Sequence, residues 1–436
     1  MKKKMVAFLL AVCLLALPLL AGAEQTGSRK GYTLDKVVVL SRHNVRSPLT
    51  DGGSLLGDIT PHTWFKWTSG SSELSMKGAV LETQMGQYFR QWLESEGLIP
   101  KNWQPEEGAV RFYANAKQRT QATARYFSAG LLPACVVPVE MNAPFDTMDE
   151  VFTSKLHFVS DAYIEDALNE IAAMGGEKGM AGISEKLQDA IALLMDVTDM
   201  EKSESYQSGK YGDLLNDATV MSLTLDEEPA MSGPIKIATS VADALKFQYY
   251  EESDELNAAF GHKLTREDWM SICGIVETYQ KMLFTAPLIC VNVEHPLLME
   301  MKSELEKEGR VFSFLCGHDA NIAGVLAALN AEDYALPNTL EPGTPIGGKL
   351  TFERYLDADG KAWYAVSIIY QSTEQVRGCE FLSLENPPMK GEIRFNEMET
   401  NADGLIAEED LLNRFQTAID AFDNLVEDYA EEEKAA

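Results

Sequence analysis

The clearest pattern in the chain is the unbroken apolar run Val37-Val-Val-Leu40, followed at once by polar Ser41-Arg42-His43-Asn44 and then Val45-Arg46-Ser47-Pro48. A run without alternation predicts a strand buried on both faces, as in a parallel sheet. Ser75 reads as the N-cap of a helix whose apolar positions Leu81, Met85, Tyr88, Phe89, Trp92 and Leu93 recur at helical spacing as far as Gly97. Residues 110–113 predict a second short strand, with a helix behind it ending near Gly130 and Arg119 in its first turn. From 149 to 309 the periodicity is helical, and helices are expected over 160–174, 183–197, 235–252, 265–284 and 296–308. Strand patterning returns at 310–316, leads into Gly317-His318-Asp319, and is followed by a helix over 320–329. Residues 350–355 and 364–370 form a hairpin about Asp357-Ala-Asp-Gly360, and 420–436 reads as an acidic, frayed helix. The expected architecture is α/β: a mostly parallel central sheet flanked by helices. On this reading 24–148 and 310–436 form a discontinuous α/β domain, and 149–309 is an inserted all-α domain.

Composition narrows the classes of function. Residues 1–23 carry Lys2-Lys3-Lys4, an apolar run from Met5 to Leu20 and the small residues Ala21-Gly22-Ala23, the three parts of a secretory signal. Export, with cleavage near Ala23, is therefore expected, and no later segment has the length to span a bilayer. The formal charge is −30, which becomes −33 without the three leader lysines. Such a field repels nucleic acid and anionic membranes, so neither is expected as a partner of the mature form. An anionic substrate would need a local basic island. Five cysteines follow the leader, at 135, 273, 290, 316 and 379; an odd count without C-x-x-C spacing assigns no disulfide and argues against zinc. The segment Glu399 to Asp410 resembles a calcium loop but lacks its first Asp and its closing Glu, and it reads as a turn. No metal or cofactor is expected, and the oligomeric state stays open.

Three predicted strand ends offer matching chemistry. The first carries Arg42, His43 and Arg46, the second is followed by Arg119, and the third ends in His318 and Asp319. In a parallel sheet such edges lie side by side, and open α/β sheets bind ligands there. Three guanidinium groups can hold a phosphoryl group by charge-assisted hydrogen bonds and stabilise its transition state. An imidazole beside them can attack phosphorus, and a carboxyl at a helix N-terminus can protonate the leaving alkoxide. Positive neighbours would lower the pKa of that carboxyl, which an acidic working pH offsets.

Arg42-His-Asn-Val-Arg46-Ser-Pro48 and His318-Asp319-Ala-Asn321 resemble the paired motifs Arg-His-Gly-x-Arg-x-Pro and His-Asp-x-Asn of the histidine acid phosphatases, in the histidine phosphatase superfamily. The resemblance implies His43 as nucleophile, Asp319 as proton donor, and Arg42, Arg46, Arg119 and His318 as the phosphate pocket, without a metal. Asn44 stands where most members have Gly; Asn tolerates unusual backbone angles, so the turn is expected to survive. The Arg-His-Asn form resembles the bacterial periplasmic glucose-1-phosphatases. That similarity runs on through Thr60-Pro61, Trp64, Ala114-Asn115, Gln118-Arg119-Thr120, Gly233-Pro234, Gln248-Tyr-Tyr-Glu251, Thr344-Pro-Ile-Gly-Gly-Lys349 and Tyr370-Gln-Ser372. Relatives usually carry a cysteine pair near 398–406, which this chain lacks. Phytases of the family tend to have Lys close to the position of Leu49, and Glu228 aligns with an acidic pocket residue of the glucose-1-phosphatases. Both features imply a small phosphomonoester, a sugar phosphate such as glucose 1-phosphate, with phytate as the alternative. A non-catalytic sugar-phosphate binding protein is the third reading; it would need neither His43 nor Asp319.

Overall fold

The computed structural model describes residues 29–49 and 55–435, with side chains as far as 430. The leader at 1–23 and the start of the loop after Pro48, at 50–54, lie outside the described residues. The main sheet contains β1 (Tyr32–Arg42), β2 (Val110–Ala114), β3 (Val139–Glu140), β6 (Phe312–Gly317), β7 (Lys349–Asp357), β8 (Ala362–Tyr370), β9 (Met389–Glu392) and β10 (Ile406–Ala407). A separate two-stranded ribbon pairs β4 (Val220–Ser222) with β5 (Ala230–Ser232). The order in the main sheet is β10-β8-β7-β1-β6-β2-β3, with β9 on β8. β1, β6, β2 and β3 pair in parallel, whereas β7, β8, β9 and β10 add on antiparallel. The fold is α/β as expected, but the sheet is mixed rather than mostly parallel: parallel pairing is confined to the half that bears the Arg42, Arg119 and His318 strand ends. The other half follows from the hairpin about Gly360, whose φ of 80° gives the tight reversal glycine allows.

β1 is central because its sequence permits nothing else. Val37, Val38, Val39 and Leu40 are all 0% exposed, and burial of four such side chains on both faces contributes roughly 1.5–3 kcal/mol each. Helices Met76–Ser95 and Gln118–Leu131 cover one face, packing Phe89, Trp92 and Phe127 against Phe112, Phe312 and Phe314. Ser75 caps the first of these, its hydroxyl accepting the Gly78 N–H at 3.0 Å. On the other face Leu297, Leu298, Ile322, Val325, Phe352 and Phe415 form a second core.

Between β3 and β6 lie helices Asp161–Ala173, Met180–Val197, Pro234–Glu251, Arg266–Phe284, Pro287–Val293 and His295–Glu306, together with the ribbon. Their core runs on without a break into Val45, Leu56, Leu81, Leu340 and Ile346, so these helices also wall the side of the sheet where its parallel strands end. Three readings from sequence need correction. The ribbon was not expected, since each of its strands is only three residues long. Helix Pro287–Val293 begins at a proline in its first turn, the favoured place for one, and lies where the pattern gave no helix. The last helix spans Glu408–Ala435 and is no frayed tail in its first five turns: Leu411, Phe415, Ala418, Ile419 and Leu425 are buried at helical spacing beneath its acidic outer face. Among the described residues no helix is long and apolar enough to cross a membrane.

The calcium-like segment is a turn. Asn401 Oδ1 accepts the N–H groups of Asp403 and Leu405, and Asp403 takes the Tyr32 hydroxyl. The five described cysteines are all free.

Candidate active site

Register brings the three strand ends together. Arg42 pairs with Gly317 and Ala114 with Cys316, so Arg42-His43, Asn115 and His318 leave the sheet at one level. The loop after β1 is stapled on both sides: Arg42 N–H donates to Gly348 O at 2.9 Å, His43 N–H to Gly317 O at 3.2 Å, and Gly347 N–H to His43 O at 3.2 Å. Asn44 continues this bracing by a route other than the expected one. Its φ is not in the left-handed region. Instead its side chain is buried, donating to Glu82 Oε1 at 2.8 Å and accepting the Val45 N–H at 2.8 Å. Glu82 also receives Lys349 Nζ at 2.8 Å, and both of these charges are wholly buried. Gly347 must lack a side chain here, because a Cβ would stand 2.4 Å from Asn44 Nδ2.

His43 is 3% exposed and its Nδ1 lies 2.9 Å from the carbonyl of Asn44. The carbonyl can only accept, so the proton sits on Nδ1 and the Nε2 lone pair is free. Burial, with Arg119, Arg46, His318 and Arg42 around it, holds the imidazole well below its ordinary pKa and therefore neutral at mildly acidic pH. His318 lies beside it, ring centroids 5.5 Å apart. Asn115 Oδ1 accepts the Asp149 N–H, which turns Nδ2 toward His318 Nε2 at 2.8 Å. Nε2 is then the acceptor, and His318 carries its proton on Nδ1. Burial and the same three arginines keep this ring neutral too.

The arginines are braced from behind and left open in front. Arg42, 0% exposed, donates through Nη1 to Glu341 Oε1 at 2.7 Å and to the carbonyl of Thr344. Arg46 reaches Asp243 at 3.0 Å and lies over the Phe247 ring, 4.4 Å from its centroid. Arg119, second residue of its helix, has no carboxylate partner among the described residues. Nε of all three guanidinium groups is buried without a hydrogen-bond acceptor. Burial and the neighbouring Arg46 lower the pKa of Arg119 to about 10. Buried donors of this kind are rare unless something else fills the space.

Asp319 opens helix Asp319–Ala328, and its carboxylate stands 3.1 Å from Arg42 Nη2 with the side chain 25% exposed. Burial pushes its pKa up, but Arg42, Lys246 and Arg46 outweigh burial and hold it below the usual value. The helix start is fixed by Asn321, whose Oδ1 accepts the His318 N–H at 2.9 Å. Asn321 is in turn held by Glu294 and Ser154, each 3.2 Å from its Nδ2. Glu294 is 1% exposed and bonds Ser154 Oγ at 2.6 Å; burial raises its carboxyl to about 8.

Glu228 sits in the turn of the β4–β5 ribbon, which Leu156 anchors through the Glu227 carbonyl. Its side chain is open to solvent, yet enough protein surrounds the cleft to raise its pKa against the pull of Arg119 and Lys236, with Asp319 adding to the rise. Leu49 is 57% exposed just past Pro48. Asp243, Lys246, Glu341, Glu294 and the role of Asn115 were not read from the sequence. The available signal was charge at Asp243 and Lys246 on the otherwise apolar face of helix Pro234–Glu251.

Compared with known proteins, residues 33–371 match the family described as histidine phosphatase superfamily (branch 2). The chain belongs to this superfamily. It is thereby a phosphoric monoester hydrolase, as curated relatives of the phosphatase agree. It is 34% identical to the glucose-1-phosphatase of Salmonella typhimurium over 424 residues, 96% of this chain and 98% of that one. It is 27% identical to the phytase AppA of Escherichia coli, covering 92% and 95% of the two chains. The structure of Hafnia alvei phytase superposes with a TM-score of 0.81 at 23% identity, over 90% of the phosphatase and 98% of the phytase, which establishes the common fold.

Proposed function

We propose that this phosphatase hydrolyses small phosphomonoesters, sugar monophosphates such as glucose 1-phosphate foremost, through a phosphohistidine. The carrying observation is the set of buried, acceptorless guanidinium N–H groups around an imidazole whose Nε2 is free. Phosphoryl oxygens supply those acceptors. The His43 Nε2 lone pair attacks phosphorus in line, a P–N bond forms, and the ester P–O bond breaks toward Asp319. A protonated Asp319 gives its proton to the leaving oxygen, and the alcohol departs. Water then attacks phosphorus and returns a proton to Asp319. The P–N electrons go back to His43, and inorganic phosphate is released. Arg42, Arg46, Arg119 and the His318 Nδ1–H hold the charge that moves onto the equatorial oxygens. A dianionic phosphate offsets the arginine charge that holds Asp319 ionised, so proton donation is favoured in the loaded site and at acidic pH. The leader sequence supports export, and the resemblance to periplasmic glucose-1-phosphatases supports a periplasmic location.

Rates on glucose 1-phosphate, phytate and an aryl phosphate between pH 3 and 7 test this directly, with glucose 1-phosphate expected to exceed phytate in kcat/KM. A faster rate on phytate would reassign the substrate, and no hydrolysis of any ester would favour a binding protein. Asp319→Asn is expected to slow alkyl phosphates by about 10² to 10⁴-fold, and aryl phosphates far less, since phenolates leave without a proton. Equal slowing of both would remove Asp319 as the acid. Glu228, facing the cleft with a negative charge above its raised pKa, supports a preference for one phosphate over six. Glu228→Gln should therefore narrow the ratio of glucose 1-phosphate to phytate kcat/KM by about tenfold, roughly 1.4 kcal/mol. An unchanged ratio would show that Glu228 does not select the substrate.

A further inference from the structure

Behind the phosphate pocket lies a buried chain of charge that the mechanism above leaves unused. Asp243, Lys246 and Tyr250 share one face of helix Pro234–Glu251. Lys246 is 0% exposed, and its ammonium reaches Glu341 Oε1 at 2.8 Å and Asp243 Oδ1 at 3.2 Å. Glu341 Oε1 also takes Arg42 Nη1 at 2.7 Å, while Oε2 accepts the Tyr250 hydroxyl at 3.0 Å. The other oxygen of Asp243 holds Arg46 at 3.0 Å. One lysine thus sits at the junction of two carboxylates, each carrying one pocket arginine. Asp319 aside, which also pairs with Arg42 at 3.1 Å and is the group that gains a proton in the loaded site, two arginines and two carboxylates cancel, and Lys246 leaves the array one positive charge in excess.

We propose that Lys246 is a positioning residue for the phosphate site: through Glu341 and Asp243 it fixes the Arg42 and Arg46 guanidinium groups, and its unbalanced charge strengthens the pocket's hold on phosphate without touching it. The inference rests on the phosphate-site reading above. The charge has no solvent to screen it, and a wholly buried lysine is kept only where its partners compensate. Glu341 and Asp243 do so: against burial, they hold the Lys246 pKa above the ordinary value. Cys273 is also packed near the ammonium, with its thiol pushed up by burial and so neutral. Glu277 is a farther acidic neighbour, and its carboxyl is raised. Asp319, at the pocket floor, is faced by Arg42, Lys246, Arg46 and Asp243, with Arg119 and Glu228 across the cleft. Lys246 therefore also favours the ionised form of the proton donor.

Two substitutions of opposite sign test the proposal. Lys246→Met removes the excess positive charge. Glu341→Gln removes one negative charge yet keeps both cation contacts, because the amide oxygen can still accept from Arg42 and Lys246, while the amide nitrogen donates to the Tyr250 oxygen and reverses the direction of that bond. Inorganic phosphate binding is measured by calorimetry, and kcat/KM for an alkyl phosphate is measured against pH. Lys246→Met is expected to weaken phosphate binding about tenfold and move the alkaline limb to higher pH; Glu341→Gln is expected to tighten binding and move the limb down. Unchanged binding in both variants, or shifts in the same direction, would overturn the proposal. If Lys246→Met does not fold, Glu341→Gln decides alone, and unchanged or weaker phosphate binding counts against. A wild-type protein that binds phosphate in the expected order of variants but hydrolyses no ester would sink the phosphatase mechanism and leave this inference standing.

Discussion

Replacing His43 by alanine is expected to lower kcat for every phosphomonoester by roughly a thousandfold or more, the scale on which removal of a nucleophile acts. Inorganic phosphate should still bind, because the acceptorless donors of Arg42, Arg46 and Arg119 do not depend on the imidazole. The covalent intermediate gives a second readout. Wild-type enzyme quenched during turnover of a radiolabelled ester should retain label that survives alkali and is lost in mild acid, as a P–N bond requires, and the variant should retain none. A variant with full activity would exclude His43 as nucleophile. The pH dependence follows from the same environment. The His43 pKa is depressed by burial and by the positive groups around it, so the imidazole stays unprotonated below the ordinary imidazole range. The acid limb of kcat/KM for the free enzyme should accordingly lie well under pH 6.5. A limb at the ordinary imidazole value would contradict the geometry.

Glu294→Gln should stabilise the protein at neutral pH. In the folded chain the Glu294 carboxyl stays protonated up to about 8, against an ordinary value of 4.5. The unfolded chain ionises it above the ordinary value, so unfolding releases a proton through this interval and stability falls as pH rises from about 4.5 to 8. The stability Glu294 provides is fully present below that window and lost across it, amounting to about 3–5 kcal/mol. An amide cannot ionise and can make both bonds, its oxygen accepting from Asn321 and its nitrogen donating to Ser154. Urea unfolding at pH 4 and pH 8 measures this. The wild type should lose stability between the two values, and the variant should lose several kcal/mol less. Parallel losses would show that Glu294 is ionised in the folded protein at neutral pH.

What could be read from the sequence was chemistry fastened to a short apolar run. Arg42 ends a strand, His43, Arg46, His318 and Asp319 follow strands closely, and Arg119 sits in the first turn of a helix, so predicting the strands located the side chains. Their braces were not legible. Glu341, Lys246 and Asp243 act on arginines about 200 to 300 residues away, and nothing local marks a lysine in a helix as the centre of a charge array. Glu294 lies between two helices that each carry a proline in the first turn, where only burial against Asn321 and Gly324 gives it meaning. Asn44 was read for its backbone, yet it acts through its side chain, because the carboxylate it meets belongs to the following helix. The acidic composition of the last helix hid its apolar stripe. A three-residue strand carries too little pattern to be seen at all, which is why the ribbon that presents Glu228 escaped notice.

The strand order also governs when activity can appear. β1 is made first, but it lies between β6 and β7, which are contributed by residues 312–317 and 349–357. Pairing at such separations closes very long loops before any contact repays the entropy, and topologies of this kind fold slowly. The strand that bears His43 must remain without its two neighbours until most of the chain exists, and Asp319 arrives on one of those same late segments. A truncated or still-growing chain would thus hold His43 without Asp319, and catalytic competence is acquired only when the sheet closes around its oldest strand.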